Sequence, residues 1–352
     1  MTERLERIRQ QLDKNGLDAV FVSQAENRRY LSGFTGSAGY LFITRKSAVL
    51  ATDFRYIEQA KGQASAFEIF KIQGATSKWF GELVSPSDIR KIGFDASDIS
   101  FATYRLLTAD IPGKELAPTE GLVEALRAVK SDDELSLMTK AAAISDAAFE
   151  KVAPGIQAGM TELEVAWELE KTMRESGSEP LPFEIIVASG PNAALPHHRP
   201  GDRRLADGDP LIIDMGARVG GYTSDLSRTI CVGKQDEKFG KIYDLVLGAQ
   251  LTAIATVAAG MTGGTADGLA RTVIERGGYG ECFGHGLGHG VGLTTQEKPR
   301  VGREADDILT DGMVFTIEPG VYISGWGGVR IEDMVVLKQG RAQVLSKARK
   351  IE

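Results

Sequence analysis

All four histidines of the chain lie between residues 197 and 289, and two of them share a glycine-rich run, Gly284-His285-Gly-Leu-Gly-His289. The same half of the chain carries two carboxylate pairs, Asp214/Asp225 and Glu318/Glu332. Each pair is spaced to face across a hairpin, centred near Arg218–Gly221 for the first and Ser324–Gly327 for the second. Residues directly opposed on paired strands hold their Cβ atoms about 4.5–5.5 Å apart. Two carboxylates that close repel unless a cation or a shared proton intervenes. Their settings are apolar, Leu211-Ile-Ile-Asp214, Phe315-Thr-Ile-Glu318 and Arg330-Ile-Glu332, where an unpaired charge is costly. A single pair could be a salt-bridge station for an arginine; two pairs beside the histidine run point to a metal centre.

Four carboxylates and one imidazole can hold two divalent ions. Mixed oxygen and nitrogen donors suit manganese, cobalt, iron or zinc; manganese is the ion expected first. Two ions about 3.5–4 Å apart can share a water, lower its pKa and polarise a carbonyl, so hydrolysis of an amide is the natural chemistry. His289 lies deeper in the glycine run, where a backbone can approach closely, and is the expected ligand. His285 is left for substrate. His197 follows Ser189-Gly-Pro-Asn192 in a loop, a common place for functional side chains. Its neighbour His198 reads as a solvent-exposed bystander.

Strand-like segments must carry the carboxylates: Leu211–Ala217 with Tyr222–Val232, and Val314–Ile323 with Val329–Leu337. Capping boxes at Ser131-Asp-Asp-Glu134 and Thr161-Glu-Leu-Glu164 open two helices, to about Val152 and Gly177. An internal echo follows. Gly159-Met160-Thr161 and Gly260-Met261-Thr262 each stand between a longer helix (about 132–152 and 235–258) and one ending in Gly177 or Gly277. The order predicts a duplicated α+β unit with its site between the halves. Earlier, an opening helix with Leu5, Ile8 and Leu12 ends at Gly16. Strand candidates follow at 18–23, 40–44, 47–52, 67–73 and 91–94, and helical ones at 54–62, 77–84 and 100–109. These predict a smaller α/β layer domain. The boundary is expected near 120–131, giving domains 1–125 and 126–352.

A chain of 352 residues with 42% hydrophobic and 25% charged residues has an ordinary globular composition. Its formal charge of −7 argues against a nucleic-acid surface. Two cysteines, Cys231 and Cys282, are too few for a disulfide scaffold and fit a reducing compartment. The charged N-terminus lacks a signal-type apolar core, and no apolar run is long enough to span a bilayer. A cytoplasmic location without a membrane partner is expected.

The stretches Ile212-Ile-Asp-Met-Gly-Ala-Arg-Val-Gly-Gly-Tyr-Thr-Ser-Asp-Leu-Ser-Arg-Thr229, Gly284–Leu293, Phe315-Thr-Ile-Glu-Pro-Gly-Val-Tyr322 and Gly327–Leu337 resemble, in order and spacing, the pita-bread metallopeptidase superfamily. That group includes methionine aminopeptidase, aminopeptidase P and the Xaa-Pro dipeptidases (prolidases). The resemblance covers nearly the whole chain and implies a pita-bread catalytic domain after a creatinase-type N-terminal domain. It implies a dinuclear site of Asp214, Asp225, His289, Glu318 and Glu332. It also implies substrate and proton-transfer roles for His197 and His285, with Glu318 as proton acceptor and Arg330 beside the site. An N-terminal domain points to the proline-specific branch, acting on proline-containing peptides as a homodimer. Within it, Tyr30–Gly39, Thr52-Asp-Phe-Arg-Tyr56 and Gln59-Ala60 look more like aminopeptidase P than prolidase.

One position departs from the pattern. Gln296 stands where the family has a histidine that hydrogen-bonds the substrate carbonyl and the tetrahedral intermediate. A glutamine amide still donates a hydrogen bond but carries no charge and shuttles no proton. A working but slower site, or one with altered preference, is expected. Two alternatives stand beside the peptidase: a hydrolase or lyase of the same superfamily acting on a small metabolite, and a non-catalytic binding module. The complete set of five ligand candidates weighs against the module, and against creatinase itself.

Overall fold

The computed structural model describes residues 2–74, 76–85 and 88–350. They form two compact units, Met1–Arg127 and Ala128–Glu352.

The first unit is a six-stranded mixed sheet with helices. Its elements are α1 (Thr2–Lys14), β1 (Ala19–Val22), α2 (Ala25–Ser32), β2 (Tyr40–Thr44), β3 (Ala48–Thr52), α3 (Ile57–Gln63), β4 (Glu68–Lys71), α4 (Thr76–Leu83), β5 (Lys91–Asp95), α5 (Phe101–Ala109), β6 (Glu115–Thr119) and α6 (Glu124–Ala128). The strand order is β4-β3-β2-β1-β5-β6. The expected hairpin of β2 and β3 forms around Arg45-Lys46. The 54–62 segment begins as a 3-10 turn, Phe54–Tyr56, before α3. Sequence reading did not find α2, β6 or α6. In α2, Asn27, Arg28, Tyr30, Leu31 and Ser32 are buried, so polar residues occupy the inner face and hide the apolar period.

The second unit begins with α7 (Asp132–Val152) and α8 (Glu162–Glu175), each opened by its capping box. Next come β7 (Ile186–Ser189), β8 (Pro210–Met215), β9 (Arg218–Val219), β10 (Tyr222–Thr223) and β11 (Leu226–Cys231), then α9 (Glu237–Thr256) and α10 (Gly263–Arg276). The remaining strands are β12 (Gly288–Gly290), β13 (Glu297–Val301), β14 (Val314–Ile317), β15 (Gly320–Ile323), β16 (Gly327–Arg330), β17 (Asp333–Lys338) and β18 (Arg341–Val344). They build a β11-β8-β7 sheet, a β13-β12-β14-β17-β18 sheet and two short ribbons.

The internal echo extends to single hydrogen bonds. Gly159 N donates to Leu205 O and Leu205 N to Met160 O, both at 2.8 Å; Gly260 N donates to Leu309 O at 2.8 Å and Leu309 N to Met261 O at 2.9 Å. Both leading glycines adopt positive φ, +93° and +91°, a conformation L side chains resist. Asp214 follows Leu205, and Glu318 follows Leu309, by the same nine positions. The two halves therefore deliver equivalent carboxylates, Asp214 on β8 and Glu318 directly after β14. Each half buries a core of its own against its helices, around Phe149, Leu169 and Ile213 in one and Val246, Ile274 and Phe315 in the other.

Register is where expectation and structure part. In the first hairpin Val219 pairs with Tyr222 and Asp214 with Ser227, so the turn centres on Gly220-Gly221 and Asp225 sits diagonally from Asp214. The direct Asp214–Asp225 opposition is thus corrected by two residues. A two-residue slip keeps a side chain on its face, since strand side chains alternate with period two. The second hairpin keeps the expected register, Ile317 with Asp333 and Gly320 with Arg330. Glu318 and Glu332 fall in the gap between those ladders, and their amides bond elsewhere, to Leu287 O at 2.8 Å and Ser227 O at 3.0 Å.

Candidate metal centre

β12 brings His289 into the middle of its sheet between β13 and β14. Glycine is required on either side of it. A Cβ on Gly288 would run into the Thr316 carbonyl, and one on Gly290 into the Lys298 carbonyl. Thr316 Oγ1 accepts from His289 N at 3.1 Å and donates to Glu318 Oε1 at 3.1 Å, so one hydroxyl sets two candidate ligands. His289 Nε2 lies 3.4 Å from Glu318 Oε1 and 3.8 Å from Asp225 Oδ2. Ligand atoms of Asp225, His289 and Glu332 all fall within 4.8 Å of one another.

Arg330 ties the remaining carboxylate in. Its Nη2 donates to Asp214 Oδ2 at 2.6 Å, Nε to Ser227 Oγ at 2.9 Å, and Nη1 to Tyr322 OH at 3.0 Å and Pro196 O at 3.2 Å. Ser227 Oγ in turn donates to Glu332 Oε2 at 2.7 Å. The five expected ligands and Arg330 thus form one connected cluster. His285 joins through Tyr322, whose hydroxyl is 2.8 Å from His285 Nε2. Because His285 Nδ1 is 2.8 Å from the Gly286 carbonyl, which only accepts, the ring proton belongs on Nδ1 and Tyr322 donates to Nε2.

Charge is badly out of balance here. Burial pushes Asp225 well up, and Glu332, Asp214 and Glu318 push it further against the pull of Arg330. Glu332 is likewise raised by burial and by Glu318 and Asp214, against His289 and Ser227. Burial lifts Glu318 to about 7 despite Arg330. One guanidinium does not offset four carboxylates, and among the described residues Asp214 Oδ1 is buried without a hydrogen-bond partner. A crowded, under-compensated set of oxygen donors with one imidazole fits divalent cations. His285 is driven the other way, to about 4, by burial, so it is neutral at pH 7.

Two expected substrate residues stand apart from this network. His197 is exposed, held at its flank by the Arg330–Pro196 bond, and near enough to His285 for its charge to bear on it. Gln296 is exposed, and its side chain makes no hydrogen bond among the described residues. His198 is no bystander: its side chain is 16% exposed, and Nε2 bonds Glu162 Oε2 at 2.8 Å. The reason is non-local, since the buried Glu162 carboxylate comes from α8. Sequence reading also missed Ser227, Thr316 and Tyr322. Ser227 and Thr316 lie two positions from Asp225 and Glu318, the period that puts side chains of extended chain on one face, so a signal was there.

Residues 136–339 match metallopeptidase family M24, and residues 4–129 match the creatinase/prolidase N-terminal domain. The chain belongs to family M24, the pita-bread metallopeptidases, in the branch that carries this N-terminal domain, and is a metallo-exopeptidase. It is 37% identical to a Xaa-Pro dipeptidase of Pyrococcus horikoshii, over 99% of this chain and 97% of that one. Among solved structures it is similar to a Xaa-Pro dipeptidase from Bacillus anthracis, with TM-score 0.97, 42% identity and coverage of 99% and 98%. It is also similar to an X-Pro aminopeptidase from Thermotoga maritima, with TM-score 0.90, 35% identity and 98% coverage of each chain. Among the described residues no helix is long and apolar enough to cross a membrane.

Proposed function

We propose that the protein hydrolyses the Xaa-Pro bond of short peptides, with Xaa-Pro dipeptides as its substrates. The observation that carries this reading is the carboxylate–histidine cluster in a chain that aligns end to end with two named dipeptidases. Asp214, Asp225, His289, Glu318 and Glu332 would hold two divalent ions, manganese being the one to supply first. Such ions activate water and polarise the scissile carbonyl. Thr316 occupies one Glu318 oxygen and leaves the other to take the proton released as the water attacks. Arg330 holds Asp214 in place while its own charge is spread over Ser227, Tyr322 and Pro196. Neutral His285 fixes the Tyr322 hydroxyl, and His197 meets the substrate from the exposed side. Gln296 offers an amide donor to the developing oxyanion in place of a histidine.

The aminopeptidase P reading stays as the second, favoured by the Thermotoga maritima neighbour and by the Tyr30–Gly39 stretch. That stretch also has a role within its own unit: buried Arg28 donates to Gly36 O at 2.8 Å and Gly39 O at 2.7 Å, and a Cβ on Gly36 would run into the Phe34 ring, so packing accounts for that glycine without reference to substrate. We also read the protein as a cytoplasmic homodimer. The test is one assay with an Xaa-Pro dipeptide and an Xaa-Pro-Xaa tripeptide, with and without manganese or cobalt. Metal-dependent cleavage of the dipeptide alone supports the proposal. Cleavage of the tripeptide alone supports the aminopeptidase, and cleavage of neither by metal-loaded protein refutes both.

A further inference from the structure

Glu162 opens α8 fully buried, and its carboxylate gathers five hydrogen bonds from one segment, residues 189–201. Oε1 accepts from Ser189 N at 2.8 Å, Ser189 Oγ at 2.7 Å and Asn192 Nδ2 at 3.0 Å. Oε2 accepts from His198 Nε2 at 2.8 Å and Gly201 N at 3.1 Å. Both ends of the segment are thus fastened to one side chain. Its middle is fastened to the candidate metal centre, since Pro196 O accepts from Arg330 Nη1. His197 stands between these two anchors, its backbone held by neighbours on either side and its side chain free to meet a ligand.

The fold's own repeat argues that this clamp is not a requirement of the architecture. Glu162 N bonds Arg203 O at 3.2 Å, and at the equivalent place in the second half Gly263 N bonds Asp307 O at 2.9 Å. Glycine builds the same helix start there with no side chain. The carboxylate occurs only in the half that carries His197. It is held below the ordinary carboxylate range: burial opposes ionisation, but the bonds from His198, Asn192 and Ser189 outweigh it. It therefore acts as an ionised acceptor, whose bonds are about twice as strong as neutral ones.

We propose that Glu162 is a positioning residue for His197, which with His198 holds segment 189–201 so that His197 stays placed to meet the substrate. This rests on the peptidase reading above. Glu162→Gln keeps an oxygen for Ser189 and Asn192 but sets an amide NH2 against the Gly201 N–H, and leaves the His198 ring only an accepting role. His198→Leu removes the ring bond alone, and His198→Gln restores a donor. In the full-length, manganese-loaded protein acting on an Xaa-Pro dipeptide, Glu162→Gln should lower kcat/KM about 10²-fold, the scale of an ångström-sized misplacement. His198→Leu should lower it less, and His198→Gln should recover most of that loss. In a His197→Ala background both substitutions should cost under about 2-fold, because they act through the group already removed. A full loss in that background, or an unchanged kcat/KM in both single variants, overturns the proposal. Should Glu162→Gln not fold, His198→Leu and His198→Gln carry the same cycle. If the wild type cleaves no Xaa-Pro substrate, the function reading has failed, and hydrogen exchange decides the positioning separately. The Gly201 amide should then exchange about 10-fold faster in His198→Leu while the β8 amides stay unchanged; equal protection of Gly201 overturns it.

Discussion

Arg330→Met tests the electrostatic account of the cluster without reference to activity. Arg330 is 3% exposed, and its partner Asp214 is 15% exposed at its side chain. Among the described residues the guanidinium is the one cation bonded to Asp214, whose other oxygen is buried without a hydrogen-bond partner. Methionine fills similar volume but leaves Asp214 uncompensated beside Glu318, and unpairs donors to Ser227, Tyr322 and Pro196. Breaking one side of a buried ion pair costs about 3–5 kcal/mol. For a unit of this size each kcal/mol moves Tm by about 2–4 °C, so the chelated variant should melt about 6–20 °C below chelated wild type. Calorimetry in EDTA at pH 8 reads this directly. Arg330→Lys should recover part of the loss, since a point charge reaches Asp214 but cannot fork to Ser227 and Tyr322 together. A drop in Tm under about 2 °C for the methionine variant would refute the reasoning, because Asp214 would then be compensated by something other than Arg330.

Chelation should make stability depend on pH in an unusual direction. Glu318 is raised by burial to about 7 in the folded chain, with Asp225 and Glu332 raised as well, so the folded state holds protons that the unfolded state has released. That contribution is present below about pH 4.5 and is lost as pH rises through about 7, so melting of EDTA-treated protein should worsen between pH 5 and 8 while manganese-loaded protein does not follow; parallel curves would count against it. Manganese added at pH 6 to metal-free protein from which the chelator has been removed should release protons into an indicator dye. His285, lowered by burial to about 4, should show a neutral ring protonated on Nδ1 in nitrogen-15 spectra at pH 6, and a ring titrating near 6.5 would contradict the Tyr322 donor bond. Gln296→His should raise kcat/KM about 10-fold by supplying a stronger oxyanion donor, with stability unchanged within about 0.5 kcal/mol at this exposed position; no gain would mean the glutamine is not a deficit.

Much of the candidate centre was legible because its residues alternate within hairpins. The second hairpin's register follows from its turn as the spacing predicts, with Glu318 and Glu332 falling between its two ladders. The first hairpin slips by two because the chain turns at Gly220-Gly221, both at positive φ, rather than one position earlier. Gly221 could have signalled this, since paired glycines favour the tight turn. The helices announced themselves through Ser131 and Thr161, whose capping boxes both form. In the first unit α2 stayed hidden because its buried face carries Asn27 and Arg28.

Local pattern, then, determined the hairpins, the caps, the duplicated helix pair and the chemical types gathered near the site, because each depends on neighbours a few positions away. Tertiary structure alone decided which groups hold which. Arg330 reaches back to Asp214 and Pro196, Ser227 bridges Arg330 to Glu332, and Glu162 takes His198 out of solvent. Those contacts join residues that no period links, and burial among them sets the protonation of Glu318 and His285. A pattern of residue types can place like charges on one face; only packing determines how far water is excluded from them, and that exclusion turns a cluster of acids into a site for cations.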